Sequence, residues 1–180
     1  MNQLKITRRV FFALWPDNDV RLELVKAFNI SGFSKLTGQN FRPDNLHLTL
    51  HFLGNVSEDK FNCIMDVAEQ LESKPFELLL NKFSVFKKAK IFYMGMTDVP
   101  DALVSLQSQL GGLLRACDFQ AESRTYTPHV TLKRKIQQYE ISEKPQEIFW
   151  HVEQFALVES VLVEGGVVYK PLKYFNLMVR

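Results

Sequence analysis

The 180-residue sequence is poor in the features that mark membrane-anchored and secreted proteins. Its N-terminal apolar stretch, residues 10–15, is too short to cross a bilayer and carries no signal-peptide cleavage pattern. Only two cysteines are present, Cys63 and Cys117, and both lie in amphipathic, helix-like segments. A free cysteine in that setting usually packs as a small apolar residue, so we expect free thiols and no disulfide. These absences favour a cytoplasmic protein that does not contact a membrane.

Strong net charge is absent as well. A balance of +2 and a pI near 8.5 do not by themselves indicate nucleic-acid binding, because such binding depends on clustered charge. Local clusters are therefore more informative. Lys133, Arg134 and Lys135 form a short basic run, and Arg42 lies ahead of the first motif described below.

The apolar content of 46% is enough to bury a core, and we expect one domain of two lobes over residues 1–180. Apolar residues at helical spacing predict helices near residues 17–31, 57–71 and 101–116. Alternating or continuous apolar runs predict strands at residues 10–14, 47–53, 76–86, 91–96, 129–132, 149–157, 161–164 and 167–179. Gly165 and Gly166 are expected to form a hairpin turn.

One pattern, His-apolar-Thr-apolar, occurs twice. His47 and Thr49 belong to the first copy, and His129 and Thr131 belong to the second. A given histidine begins this pattern by chance about one time in a hundred, so two copies among four histidines are unexpected. Because side chains alternate along a strand, each copy places its histidine and threonine on one face. Two such pairs facing one cavity could supply a general acid, a general base and hydroxyl groups that hold an anion.

The order of elements around the two copies is similar. Each follows a helix and a polar loop, and the two histidines lie 82 positions apart. This arrangement suggests an internal duplication with approximate two-fold symmetry, which would place both pairs in a central groove. Cleavage of a phosphodiester requires this arrangement, because one proton is removed on one side of a tetrahedral anion and another is delivered on the opposite side.

A metal site is not indicated by the histidines. His51 lies four residues after His47, but four residues of a strand span roughly 13 Å, too far for two ligands of one zinc ion. No His-Glu-x-x-His pattern occurs. We therefore expect no metal and no cofactor. His51 is a candidate for the wall of the groove or for a packed position, and His151 is interpreted as structural.

Several segments closely resemble the two-histidine (2H) phosphoesterase superfamily, in particular its bacterial RNA 2',3'-cyclic phosphodiesterase branch, also called 2'-5' RNA ligase-like. The resemblance runs almost end to end, through Arg9-Val10-Phe11-Phe12-Ala13-Leu14, Asn45-Leu46-His47-Leu48-Thr49-Leu50, Phe52-Leu53-Gly54 and Thr127-Pro128-His129-Val130-Thr131-Leu132 with Arg134. It implies an α+β fold of two lobes, with antiparallel sheets around a central groove and helices outside. It also implies that the partner is RNA with a 2',3'-cyclic phosphate end or a related nucleotide. We expect the protein to be a monomer.

By the same resemblance, His47 and His129 are the acid and base. Thr49 and Thr131 bind the phosphate, and the guanidinium of Arg134 binds the phosphate oxygens. Strict alternation from His129 would point Lys133 into the groove instead of Arg134, so this assignment requires a bulge or the end of the strand.

The implied reaction is hydrolysis of a terminal 2',3'-cyclic phosphate to a 2'-phosphate. Our hypothesis gives His129 the activation of water and His47 the protonation of O3', although the roles could be exchanged. The reverse reaction would be a weak, ATP-independent 2'-5' ligation. No Lys-x-Asp-Gly pattern of an ATP-dependent ligase is present.

Two alternatives remain open at the level of sequence. The substrate could be a small cyclic nucleotide such as ADP-ribose cyclic phosphate, since the motifs describe only the phosphate. The groove could also bind an RNA end without turnover, although a binding module would need no histidines. Trp15, Phe41 and Tyr126 are candidates for contact with nucleobases.

Overall fold

A computed structural model describes residues 7–120, 125–138 and 140–178. Within them the chain forms ten strands and three α-helices, with short 3-10 turns between. In chain order these are β1 (Thr7–Leu14), α1 (Asn18–Ile30), β2 (Gln39–Asn40), β3 (Leu48–Ser57), α2 (Glu58–Ala68), β4 (Phe76–Leu80), β5 (Lys82–Phe86), β6 (Ile91–Gly95), α3 (Asp101–Leu114), β7 (Val130–Arg134), β8 (Ile148–Val152), β9 (Gln154–Val163) and β10 (Gly166–Asn176).

The three predicted helices are present. The residues at the two ends of α1 show how the sequence sets the limits of a helix. Asp17 precedes α1 in an extended conformation, and its carboxylate accepts a hydrogen bond from the amide of Val20 (2.9 Å), which caps the free N–H groups of the first turn. Gly32 follows the helix with a φ of 75°, a left-handed conformation that suits glycine and ends the helix. None of the helices in the described ranges is long and apolar enough to span a bilayer.

One antiparallel sheet contains eight of the strands. Its order is β10-β9-β1-β3-β7-β6-β5, with β2 paired to β7 beside this path. Strands β4 and β8 form a separate two-stranded sheet. All of these pairings are antiparallel, which confirms the predicted mixed fold of helices and antiparallel sheets.

The centre of the sheet divides it into two corresponding halves. Strands β3 and β7 meet there at the pair Leu48 and Val130, and β1 flanks β3 as β6 flanks β7. Each motif strand has a β-bulge at the same place: Leu50 has no partner in β1, and Leu132 has no partner in β6. In both strands the extra residue directly follows the threonine of the motif. The predicted two-fold resemblance therefore extends to local backbone irregularities.

Two predicted strands are each divided in the structure. Residues 76–86 form β4 and β5, which separate at Asn81 because its side chain and amide bind the backbone of Thr97 and Gly95. Residues 149–157 are divided at Glu153, whose carbonyl accepts from the amide of Leu177 (2.7 Å). Each division sends one strand to the small sheet and the next to the large one. The end of the last predicted strand, residue 179, lies outside the described residues.

Most of the core lies in one cluster to which all three helices contribute. A second, smaller cluster contains Phe11, Ala13, Ala156 and Val158, with the partly buried rings of Trp15 and Tyr169 packed against it. Because Phe11 and Ala13 alternate with the fully buried Phe12 and Leu14 in β1, the small cluster lies on the opposite face of the sheet. This second face carries the groove.

The prediction of free thiols is wrong. Cys63 of α2 and Cys117, in the 3-10 turn after α3, form a disulfide bond across 54 positions of sequence. Each cysteine lies on the apolar side of its own helical segment, as expected, but the packing of α2 against the end of α3 brings the two together. Nothing local in the sequence indicates this contact between elements.

Candidate active site

Strands β3 and β7 bring the two His-Thr pairs side by side. Antiparallel pairing at Leu48 and Val130 sets His47 across from Thr131 and Thr49 across from His129. The two histidines are then diagonal neighbours on one face of the strand pair, a relation in which Cα atoms typically lie roughly 7–8 Å apart, within reach of each other's side chains. The structure therefore places the four predicted motif residues together, from two distant parts of the chain.

Both imidazole rings are held in the same tautomer. The Nδ1–H of His47 donates to the carbonyl oxygen of Asn45 (2.6 Å), and the Nδ1–H of His129 donates to the carbonyl oxygen of Thr127 (2.8 Å). A carbonyl oxygen only accepts, so each ring carries its proton on Nδ1 when neutral. The Nε2 atom of each ring is then the one that exchanges a proton.

The hydroxyl of Thr49 lies against the first ring. Its Oγ1 is 3.0 Å from Nε2 of His47, and with Nδ1 protonated the hydroxyl is the donor. The backbone of Thr49 is fixed as well, because the hydroxyl of Tyr126 donates to its carbonyl oxygen (3.0 Å). Tyr126 comes three residues before His129. This hydrogen bond therefore connects the segment that leads into the second motif with β3, which carries the first motif.

His47 is surrounded by aromatic rings. Trp15 stacks on it at 5.7 Å, and Phe11, Phe41 and Tyr169 lie at centroid distances of 4.8, 6.1 and 5.2 Å. Burial disfavours the charged imidazolium and lowers the pKa of His47 to about 4. The hydrogen bond to Asn45 opposes this shift, while the charges of His129 and Arg134 add to it.

His129 is less enclosed. Phe86 and Tyr93 are its ring neighbours, at 4.9 and 5.2 Å. Burial is again the largest cause of its lowered pKa, with the charge of Arg134 acting in the same direction and the bond to Thr127 opposing both. Both histidines are therefore biased toward the neutral form when the groove holds no anion.

The bulge at Leu132 decides which cation of the basic run faces the groove. Lys133 is 1% exposed, and its Nζ donates to Oδ1 of Asn40 in β2. Arg134 lines the groove together with His129. Alternation alone would give the opposite result, so the extra residue changes the phase of the strand as the arginine assignment requires.

Strand β2 packs against this part of β7. The amide of Phe41, directly after β2, donates to the carbonyl of Leu132 (2.9 Å), and the ring of Phe41 lies 5.5 Å from the Arg134 guanidinium. Gly38, just before β2, has a φ of 136°, and a Cβ there would come within 2.7 Å of the carbonyl oxygen of Arg134. The ring of Phe41 is therefore a neighbour of both the Arg134 guanidinium and the His47 ring.

The groove beside the motif residues has a volume of about 880 Å³. Thr49, His129 and Arg134 are among its lining residues, whereas His47 and the buried Thr131 are not. His51 contributes to the far wall, as one of the two sequence-based interpretations expected. It is nevertheless 5% exposed, and its Nε2–H donates to the carbonyl oxygen of Gln107 in α3 (2.7 Å).

The role of one residue in this geometry was not predicted, although the residue lies in a segment that carries the family resemblance. Asn45 is 5% exposed, and its side chain donates to the carbonyl of Val167 (2.8 Å) and accepts from the amide of Tyr169 (3.0 Å). Its own carbonyl orients His47. Asn45 thus connects β10 to the first catalytic candidate. The sequence shows only a polar residue two positions before a motif histidine. Its hydrogen-bond partners are more than 120 residues away, so its role could not be predicted from the local sequence.

No group of three His, Cys, Asp or Glu side chains within the described ranges is arranged to hold a metal ion. His151 lies away from the groove in β8, where its Nδ1 contacts the carboxylate of Glu77 in β4. That contact raises the pKa of His151. The interpretation of His151 as a structural residue agrees with this position.

The chain also resembles known proteins along most of its length. The model of the 2'-5' RNA ligase superfamily matches residues 17–165. An Escherichia coli K12 protein named RNA 2',3'-cyclic phosphodiesterase is 28% identical over 172 residues, which cover 94% of this chain and 97% of that relative. A protein of the same name from Thermus thermophilus is 28% identical over 186 residues, covering 94% and 90%.

The fold agrees with a solved structure. The crystal structure of E. coli LigT complexed with 3'-AMP superposes with a TM-score of 0.89 at 27% identity, covering 96% of this chain and 99% of that one. The family match spans most of the sequence, and the predicted resemblance is confirmed. The chain belongs to the 2'-5' RNA ligase superfamily of two-histidine phosphoesterases.

Proposed function

We propose that this protein is an RNA 2',3'-cyclic phosphodiesterase that hydrolyses a terminal 2',3'-cyclic phosphate to a 2'-phosphate. One observation carries the proposal. His47 and His129 lie at diagonal positions of the β3–β7 pair, and each ring uses Nδ1 for a backbone hydrogen bond, which leaves Nε2 to exchange a proton. The names of the bacterial relatives support the same reaction class. Residues 1–180 would act as one domain, with one His-Thr pair from each half of the large sheet.

The reaction requires two proton transfers on opposite sides of phosphorus. One histidine takes a proton from water as the water oxygen bonds to phosphorus, and the other gives a proton to O3' as the P–O3' bond breaks. The product has a 2'-phosphate and a free 3'-hydroxyl. Negative charge grows on the non-bridging oxygens, where Thr49, Thr131 and Arg134 would donate hydrogen bonds. Two imidazoles are sufficient for this scheme.

The surroundings of the two rings favour one division of labour. Burial lowers the pKa of His47 to about 4, so this ring is neutral and free to accept a proton, whereas His129, whose pKa burial also lowers, has fewer ring neighbours and lines the groove. This division is the reverse of the sequence-based hypothesis, which gave the base role to His129. We propose His47 as the base and His129 as the acid.

The same groups could run the reaction backward. A 5'-hydroxyl in the place of water, deprotonated by the same base, would open the cyclic phosphate and form a 2'-5' linkage without ATP. Microscopic reversibility permits this ligation, but the high concentration of water favours hydrolysis.

The test is incubation of the protein with a pentaribonucleotide that ends in a 2',3'-cyclic phosphate, in the presence of EDTA, followed by identification of the product isomer. A 2'-phosphate is expected from the wild type. His47→Ala and His129→Ala should each lower kcat by about 10²–10⁴-fold, the usual contribution of a general acid or base. His151→Ala is the matched control, because that histidine lies outside the groove, and it should keep full activity. Full activity in both motif variants would refute the proposal.

A substrate with sulfur in place of the bridging O3' separates the two roles. A thiolate leaves without protonation, so the variant that lacks the acid should recover most of its activity on this substrate, and the variant that lacks the base should not. We expect recovery in His129→Ala. Recovery in His47→Ala instead would restore the assignment made from the sequence.

A further inference from the structure

The groove continues well beyond the residues that would bind the terminal phosphate. From His129 and Arg134 it runs along the turn between β5 and β6, where Lys87 and Lys88 line it. A volume of about 880 Å³ lies in the upper part of the range for sites that hold drug-sized ligands. His129 and Arg134 account for only part of its lining.

The charge of the lining is one-sided. Arg134, Lys87 and Lys88 are the charged residues that line the groove within the described part of the chain, and no Asp or Glu is among them. The whole sequence, in contrast, has 20 acidic residues against 22 basic ones. A concave surface with charges of a single, positive sign attracts a polyanion. The terminal phosphate would occupy Arg134, which leaves two lysines for further negative charge.

The lysine turn is held in place relative to Arg134. The amide of Lys90 donates to the carbonyl of Lys87 (3.3 Å), closing the turn. The carbonyl of Lys90 in turn accepts from the amide of Ile136 (3.1 Å), two residues after Arg134. The end of β7 therefore fixes both the arginine and the turn, so the three cations follow one wall of the groove.

The same space also offers aromatic surface. Phe119, partly buried, packs edge-on against His51 at 6.0 Å, and Tyr126 is a lining residue as well. Phe86, next to Lys87, is partly buried and stacks on Tyr93 at 4.3 Å. Single-stranded RNA is bound elsewhere by this combination of backbone cations and rings that stack on bases.

We propose that Lys87, Lys88, Phe86 and Phe119 form a subsite for the nucleotides that precede the cyclic phosphate end. The lysines bind backbone phosphates and the rings pack on bases, so the preferred substrate is an oligoribonucleotide and not a free nucleoside 2',3'-cyclic phosphate. This inference rests on the proposed function, since the cyclic end must sit at the two histidines. A mononucleotide carries one phosphate charge and would leave both lysines unused.

The test compares two substrates, a pentaribonucleotide with a 2',3'-cyclic phosphate end and adenosine 2',3'-cyclic phosphate. In wild type, kcat/KM for the pentamer should exceed that for the mononucleotide. The variant Lys87→Gln/Lys88→Gln should lower this ratio at least fivefold. It should also reduce the slope of log kcat/KM against log salt by about 1.4, since two contacts to a single strand contribute roughly 0.7 each. Lys26→Gln/Lys74→Gln, which removes two exposed lysines elsewhere, should leave the ratio unchanged.

Two outcomes are distinguishable. If wild type hydrolyses both substrates and the ratio is the same in the lysine variant, the subsite is refuted while the proposed function stands. If wild type hydrolyses neither, the proposed function fails, and the subsite is judged by binding of a labelled pentaribonucleotide with a 2'-phosphate end. Equal Kd values for wild type and Lys87→Gln/Lys88→Gln would then refute it as well.

Discussion

The two His-Thr pairs share a backbone plan but differ in their surroundings. Both histidines donate from Nδ1 to the carbonyl two residues earlier, and both threonines precede a bulge. His47, however, lies among four aromatic rings, whereas His129 faces the groove beside two. The same motif residues thus occur in two different surroundings, and we expect this difference in solvation, and not a difference in motif residues, to separate the proposed acid from the proposed base.

The anchors of the two orienting carbonyls differ too. Asn45 is fixed by hydrogen bonds from its own side chain to β10. Thr127 is exposed, and its backbone is restrained by the buried Pro128 that follows it, because a residue before proline favours extended conformations. The carbonyl that orients His47 is therefore held by tertiary hydrogen bonds, whereas the carbonyl that orients His129 is held by the restricted backbone before proline.

The strongest prediction concerns Arg134, whose charge acts on both histidines. Arg134→Met should lower kcat by about 10²–10³-fold, the usual cost of removing a donor to the charge that develops in the transition state. It should also raise the pKa of both histidines, since the arginine charge lowers both. Steady-state kinetics and histidine titration by NMR measure the two effects. Arg8→Met, on the ion pair with Glu58, is the control and should do neither.

The pH dependence should show the two rings to be unequal. The pKa of His47 is about 4 and that of His129 is below 6.5, so the singly protonated pair is most populated at acidic pH. Above the upper pKa, kcat/KM should fall about tenfold per pH unit, because the acid loses its proton. NMR titration should find His47 protonating at lower pH than His129. The opposite order would contradict the assignment of His47 as base.

Removing one anchor should affect one histidine. Asn45→Ala frees the carbonyl that orients His47 and should lower kcat about tenfold, given the sensitivity of proton transfer to alignment. It should also cost about 1–3 kcal/mol of unfolding free energy, because the backbone partners on β10 lose their bonds. The pKa of His47 should fall further while that of His129 stays constant. Pro128→Ala is the matched change in the other half, and NMR should show the reverse pattern.

The smallest effect concerns the loop that carries Phe41. Gly38→Ala should cost about 1–2 kcal/mol from its positive φ, and its Cβ would press on the carbonyl of Arg134. A displacement of β2 and Arg134 should lower kcat/KM severalfold with little change at His129. Gly112→Ala in α3, where a Cβ meets nothing within 4 Å, should keep activity and raise the melting temperature. Unchanged kinetics in both variants would show that β2 does not position the arginine.

Much of the fold and the candidate site follows from local patterns. Alternation alone puts His47 beside Thr49 and His129 beside Thr131, and helix caps such as Asp17 locate the helices. The bulges at Leu50 and Leu132 do not follow, because a bulge is defined by the register of the partner strand. The strand breaks at Asn81 and Glu153 depend in the same way on distant backbone groups.

The disulfide between Cys63 and Cys117 turns the chain from residue 63 to residue 117 into a closed covalent ring. That ring contains β4, β5, β6 and α3, and with them the exposed, lysine-rich hairpin tip. A protease such as trypsin, which cuts after lysine and prefers exposed tips, would open the ring without releasing either fragment. The cleaved protein would run as one band on a gel without reductant and as two bands with it.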